Sequence, residues 1–498
     1  MRRSGWFLGM VVGLAFLPGI LRAQTAPEII RVYPSAPSRP FPHFWEQVFG
    51  SGRANLTLRE SWRKDLRAVQ SITGLKYVRF HGILDDHNGV YAESKDGNPI
   101  YNWSYVDQIY DGLLENGVRP FVELSFMPSA LAASQKPHPF WYKPLPNPPR
   151  SYERWGELVA ALTRHLVERY GVDEVRLWYF EVWNEPNIDF WSGKPAQETY
   201  FRLYDSAARA VKSVDRRLRI GGPATAQAAW TGDFIRHCVE KDVPLDYVST
   251  HVYGNDSAKD VFQTDEKIPQ SEMVARSARK VHDEVKASPR PELPIIWSEY
   301  NATYMNQPEV TDSAFMGPWL ANNIRQCDGL TTIMAYWCLS DVFEEQGVVK
   351  RPFYGGYGLI AAGNIPKAAF NAFALLHRLG NERLDLERKD ALVTRRPDGT
   401  LVIAVWNYAD PGATGPPREF AIHLPRGDSA EVAILDEEHG SALSAWRKMG
   451  EPAFPSRDQQ RSLREAAKTP EARRLPIQNG VLTISLAPHG LALIEVRP

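Results

Sequence analysis

The chain has 498 residues, of which 43% are hydrophobic and 23% charged, with a formal net charge of -1. Such a length suits a large catalytic barrel plus an accessory module, and the near-zero charge gives no electrostatic case for nucleic acid or an anionic membrane as a partner. A neutral ligand fits this balance, and the 15 tryptophans belong to the residue type that fills large cores or stacks on sugar faces.

In chain order, Arg2 and Arg3 precede the apolar run from Trp6 to Ile20 and the small-residue site Leu21-Arg22-Ala23. This pattern predicts a secretory signal peptide over residues 1–23 and a periplasmic or extracellular destination. The apolar run is short for a bilayer span, and no other stretch is suited to crossing a membrane. Residues 24–43 are expected to carry a strand, Ile29–Tyr33, that pairs with a C-terminal module.

From residue 44 to residue 379, short apolar runs alternate with longer amphipathic stretches, the pattern of repeated β-α units. Eight strands are predicted: Phe44–Gly50, Tyr77–Gly82, Pro120–Phe126, Leu177–Trp183, Leu218–Pro223, Tyr247–Tyr253, Pro294–Tyr300 and Thr331–Trp337. Helices are predicted over Tyr152–Arg169 and Tyr200–Val214. Eight units predict an α/β fold, a closed (β/α)₈ TIM barrel. An open doubly wound sheet would want a Gly-rich phosphate turn after an early strand, and none stands in that context. Residues 380–498 change to alternating strands with turn signals such as Asp398-Gly399, which predicts a β-sandwich closed by Gly480–Leu486 and Gly490–Val496. The charged segment Glu451–Arg474 reads as a mobile or helical insertion. Cys238, Cys327 and Cys338, odd in number and in apolar surroundings, read as small buried hydrophobes.

Chemistry concentrates where carboxylates close apolar runs. Phe180-Glu181-Val182-Trp183-Asn184-Glu185-Pro186 and Ile295-Ile296-Trp297-Ser298-Glu299-Tyr300-Asn301 each end a predicted strand with a glutamate. Barrel enzymes place reactive groups at those strand ends. A pair of glutamates there is what glycoside cleavage requires, one as proton donor and the other as nucleophile or electrostatic support. Asn184 is placed to bond a sugar 2-hydroxyl. The same-side pairs Arg79/His81 and His251/Tyr253 can orient the nucleophile or bind hydroxyls, and Arg79 inside an apolar run needs a carboxylate partner. Trp337 and Phe126 are candidate hydrophobic walls, with Asp341, Glu344 and Glu345 as hydroxyl acceptors. No metal-ligand spacing, nucleotide loop or Gly-x-Ser-x-Gly elbow is present, so no cofactor is expected.

These motifs, together with Phe49-Gly50-Ser51-Gly52-Arg53, the run Arg119–Pro128, Tyr336–Glu345 and Gly355-Gly356-Tyr357-Gly358, resemble glycoside hydrolase family 39, whose best known members are β-xylosidases and α-L-iduronidases. The resemblance implies a retaining double displacement with Glu185 as acid/base and Glu299 as nucleophile. It lies nearer the bacterial β-xylosidase branch. Iduronidase-like members place a lysine two residues beyond the sixth-strand histidine, where this chain has Tyr253. The implied activity is exo-cleavage of xylose from xylo-oligosaccharides. An arabinosidase, galactosidase, glucosidase or iduronidase specificity, or a non-catalytic glycan-binding role, is left open at this point.

Overall fold

Eight parallel strands close on themselves: β1 (Val48–Arg53), β2 (Tyr77–His81), β3 (Arg119–Leu124), β4 (Tyr179–Val182), β5 (Arg219–Thr225), β6 (Tyr247–Tyr253), β7 (Ile295–Asn301) and β8 (Ile333–Tyr336). The last joins the first through Tyr336 opposite Phe49. The computed structural model describes residues 26–424 and 427–498, so the expected signal peptide lies outside the described residues. Among the described residues no helix is long and apolar enough to cross a membrane.

Strand positions follow the apolar runs closely, with one shift. Phe44 and Trp45 lie in a turn, and β1 instead runs on through Gly50-Ser51-Gly52 to Arg53. Glycine is weak in strands in general. Here Gly50 admits the Trp337 ring from the end of the adjacent strand β8, described below. The helix Tyr152–Tyr170 begins where the Ser151 hydroxyl accepts the Arg154 N–H and ends at Gly171. The second predicted helix starts four residues early, at Ala196 behind Pro195.

The barrel interior is layered by the period-two alternation of its strands. At the N-terminal end Tyr77, Phe121, Tyr179 and Tyr247 fill the bore together with Val48, Ile296 and Ile333. The next inward positions of β2, β3 and β4 are Arg79, Glu123 and Glu181, all buried. Above them the strand ends carry His81, Glu185 and Glu299. Apolar packing therefore gives way to charge along the bore, toward the end where barrel chemistry occurs.

The C-terminal region forms two facing sheets. A seven-stranded sheet runs in the order Ser38–Pro40, Glu382–Leu384, Ala391–Arg395, Leu401–Trp406, Leu491–Val496, Ser429–Leu435, Arg473–Pro476. A three-stranded sheet holds Glu28–Arg31, parallel to Arg418–His423, with Val481–Leu486 on the other side. Ile403, Phe420, Ile484 and Ile494 fill the space between them. Alternate residues of the same central strands, Val402, Ala404, Trp406, Leu491 and Leu493, pack into the core of the barrel domain. Both faces of this sheet are therefore covered, which explains why Leu401–Trp406 is apolar throughout rather than alternating. The segment Glu451–Arg474 contains an ordered helix, Arg457–Ala466, with a Ser456/Gln459 capping box. Its Leu463 packs with Trp446, Phe353 and Ile365. The three cysteines are free and buried.

Lys367 is fully buried ahead of the helix Ala368–Leu376. Its ammonium lies 2.7 Å from Asp312 Oδ1 and 2.6 Å from Asp341 Oδ2, and it donates to the Gly356 carbonyl at 2.8 Å. The other aspartate oxygens accept the N–H groups of Gly355 at 2.6 Å and Gly358 at 2.7 Å. One cation thus pins the Gly355–Gly358 loop, whose Tyr357 reaches the cavity described next. Lys367→Met strands two buried carboxylates, and we expect a loss of about 3–5 kcal/mol, measured by chemical denaturation.

Candidate active site

Two local backbone irregularities aim the glutamates. In β7 the register against β6 skips Ser298, so that His251 pairs with Glu299. Such a bulge re-aims a side chain. At the exit of β4, Trp183 and Glu185 both adopt positive φ, at 73° and 45°, a backbone that costs non-glycine residues about 1–3 kcal/mol each. It is held by the Trp183 indole donating to the Phe190 carbonyl and by the Glu185 N–H donating to the Ala224 carbonyl, both at 2.8 Å. As a result one oxygen of Glu185, one of Glu299 and a nitrogen of His251 lie within 4.8 Å of one another.

The two carboxyls have different neighbours. Glu299 Oε1 accepts from Arg79 Nη1 at 2.7 Å, and Oε2 from the Tyr253 hydroxyl at 2.8 Å. Among the described residues the side-chain hydrogen-bond partner of Glu185 Oε1 is His251 Nδ1, at 3.0 Å, while His251 Nε2 meets the Ser298 hydroxyl at 3.1 Å. Burial, then the charge of Arg79, holds His251 well below its usual range, so the imidazole is neutral. Burial lifts both glutamates. Glu185 rises well above the carboxylate range, with Glu299 and Asp256 adding to the effect. For Glu299 the rise is opposed by Arg79 and His81. The pair therefore divides into a protonated Glu185 and a Glu299 that holds the negative charge.

Arg79 organises this division. Besides Glu299, its guanidinium donates to Glu181 at 2.6 Å and to Asn184 Oδ1 at 2.9 Å, and lies 2.9 Å from Glu123. Burial disfavours its charge, but Glu123, Glu181 and Glu299 together outweigh that and raise its affinity for the proton. His81 bonds Glu123 through Nδ1 at 2.8 Å; burial lowers its proton affinity, yet the charge of Glu123 leaves it raised overall.

Glu185 and Glu299 border a cavity of about 380 Å³, in the range of small-ligand sites. Of the residues expected around it, His81, Asn184, Tyr253, Trp337 and Glu345 line it. Arg79 and His251 stand behind the carboxylates with their polar atoms committed to them. Phe126 lies under the wall, against the rings of His81, Trp183 and Phe190. Two expected hydroxyl acceptors are elsewhere. Asp341 is spent on Lys367 and the glycine loop. Glu344 is clamped by Arg53 at 2.7 Å and by Arg59. In an acidic loop the sequence does not distinguish a free carboxylate from a paired one, because the partners come from other elements distant in sequence. Residues not anticipated also line the cavity, among them Phe190, Gln227, Asp256, Tyr304 and Tyr357. The Gly355–Gly358 motif carried the last of these without showing its role. Burial lifts Asp256 to about 7 and Glu345 to about 8, the latter opposed by His81.

Trp337 packs against β1, and a Cβ at Gly50 would clash with Cε3 of the indole. Its ring meets His81 at 4.8 Å and Phe343 at 6.2 Å. Gly50→Ala displaces this wall. We expect about 1–3 kcal/mol of destabilisation from overpacking together with a reduced kcat/KM, checked by thermal melting and steady-state kinetics.

Comparison with known proteins gives the family of the chain. The model of glycosyl hydrolases family 39 matches residues 28–481. A beta-xylosidase of Geobacillus stearothermophilus is 37% identical over 479 residues, covering 93% of this chain and 94% of the relative. The crystal structure of a monomeric beta-xylosidase from Caulobacter crescentus CB15 superposes with a TM-score of 0.85 at 32% identity, over 95% of this chain and 99% of that one. The human alpha-L-iduronidase is more distant, at 24% identity over 96% of this chain and 79% of its own length. With two strand-end glutamates converging on one cavity, the chain belongs to glycosyl hydrolases family 39 and is a glycoside hydrolase.

Proposed function

We propose that this enzyme is an exo-acting, retaining β-xylosidase that releases xylose from the non-reducing ends of xylo-oligosaccharides. The observation that carries the reading is the asymmetry of the pair: Glu299 is held by a buried arginine and a tyrosine hydroxyl, while Glu185 bonds a neutral imidazole. An oxygen-to-oxygen approach within 4.8 Å supports the short carboxyl separation of about 5–5.5 Å found in retaining enzymes over the about 6.5–9.5 Å of inverting ones.

In the first step Glu299 attacks the anomeric carbon while Glu185 gives its proton to the departing oxygen, leaving a glycosyl ester on Glu299. In the second, Glu185 takes a proton from water, whose oxygen attacks the same carbon and frees Glu299. Arg79 and Tyr253 receive the negative charge back on Glu299 as the ester breaks. Asn184, held through Oδ1 by Arg79, keeps its amide hydrogens for a sugar hydroxyl.

Support for a neutral sugar comes from the lining, which contains no lysine or arginine and four carboxyls, Glu185, Asp256, Glu299 and Glu345. A uronate would find no lysine or arginine there, and the imidazole of His81, its proton affinity raised, is already committed to Glu123 and faces Glu299 and Glu345. The beta-xylosidase relatives and the bounded size of the cavity support the substrate and the exo mode. The Arg2-Arg3 start and the apolar run after it support export to the periplasm or beyond.

A proton NMR time course on an aryl β-xyloside tests the reading: the β-anomer of xylose is expected first, and an α-anomer first, or faster turnover of another glycoside in a panel, overturns it. Glu185→Ala should lower kcat/KM on unactivated xylosides by about 10²–10⁴ and remove the alkaline fall of the pH profile. Burial raises the proton affinity of Glu185, so it stays protonated above the ordinary carboxylate range and the acid is lost only as pH rises past that raised point.

A further inference from the structure

At the opposite end of the barrel from the catalytic glutamates, the turn before β1 places His43 three residues ahead of Glu46. The helix Ala368–Leu376 ends there on His377, just before the chain enters the β-sandwich. The Glu46 carboxylate is buried, with 2% of its side chain exposed. His43 Nδ1 lies 2.7 Å from its Oε1, and His377 Nδ1 lies 2.9 Å from each of its oxygens. Among the described residues these two imidazoles are the only ion-pair partners of Glu46. The His43 ring is fixed by stacking on Trp45 at 4.5 Å. A cavity of about 520 Å³ opens on both histidines.

We propose that His43, Glu46 and His377 bind a divalent transition metal, zinc(II) by their donor set. The ion staples the entry of β1 to the link between barrel and sandwich. Two imidazoles and a carboxylate suit zinc, with solvent completing a tetrahedral site. All three donor atoms already lie within 4.8 Å of one another. At zinc–ligand bonds of about 2.0–2.1 Å, tetrahedral angles put neighbouring donors about 3.4 Å apart. Each histidine must therefore draw back from Glu46 by roughly half an ångström, and His377, at a helix end with 44% of its side chain exposed, has the freedom to do so. On binding, each Nδ1 proton leaves, to solvent from a ring that is charged and to the bare Nε2 of a ring that is neutral, and the freed Nδ1 lone pair takes the ion in place of the hydrogen bond to Glu46. Zinc would then neutralise a buried carboxylate that, among the described residues, forms no ion pair with a lysine or arginine, although Arg378 and Arg396 line the same cavity.

Glu185, His251 and Glu299 also converge within 4.8 Å, so the test must separate the two clusters. Full-length protein stripped with a chelator is titrated with Zn²⁺ by calorimetry, in unaltered form and as His377→Ala and Glu185→Gln. We expect one zinc per chain, affinity lowered at least about tenfold in His377→Ala, since loss of an outer-shell partner alone costs about 10–100-fold, and no change in Glu185→Gln. Zinc should raise the melting temperature of the unaltered chain but not of His377→Ala. Cobalt(II) on the unaltered chain should show the visible bands of a nitrogen- and oxygen-ligated ion, a readout that needs no variant. No saturable uptake, uptake unaffected by His377→Ala, or uptake abolished by Glu185→Gln overturns the proposal.

Discussion

The rest of the site depends on one buried cation. Arg79 sits in the bore of the barrel with no exposure and spends its guanidinium on Glu123, Glu181, Glu299 and Asn184. A lone guanidinium at that depth would be prohibitively costly, and three carboxylates around it without the arginine would be worse. The cluster is stable only as a whole, which fixes the position of Glu299 to within hydrogen-bond tolerance and leaves it the charged member of the pair. Glu185, at the exit of β4 with β5 and β6 between it and β7, has no such cation bonded to it and so keeps its proton. The chemical difference between two identical side chains is thus set by which of them the arginine reaches.

The same logic of paired, buried charge supports the cavity from behind. Lys367 joins Asp312 and Asp341 to the glycine loop that presents Tyr357, and Arg53 with Arg59 holds Glu344. These groups do not touch the cavity, but they define its wall. Gly50 contributes by absence, since only a residue without a side chain lets the Trp337 ring lie against β1. Rigid walls and a fixed nucleophile are what positioning catalysis needs.

The sandwich is not an appendage on a flexible tether. Its seven-stranded sheet buries one face against the three-stranded sheet and the other against the barrel domain, and the segment from Glu28 to Pro40 supplies a strand to each sheet. Both ends of the described chain thereby close the same module. His43, Glu46 and His377 sit at this seam, where a cross-link would have the most leverage on how the two layers hold together.

By itself, the sequence determined the barrel, the β-rich module and the two reactive strand ends, because apolar periodicity and a glutamate closing an apolar run are local signals. Arg79 announced its need for a partner for the same reason: a charge inside an apolar strand must be paired. What only the tertiary structure decided were the identities of partners far apart in sequence. The proximity of Glu185 to Glu299 and the four contacts of Arg79 arise where strands separated by tens to hundreds of residues meet. So do the diversion of Asp341 and Glu344 into structural ion pairs, and the meeting of His43 with His377. Periodicity shows which side of a strand a residue faces, but not what stands across the barrel from it; that depends on closure, register and a one-residue bulge, and these are settled by the packing of the whole chain.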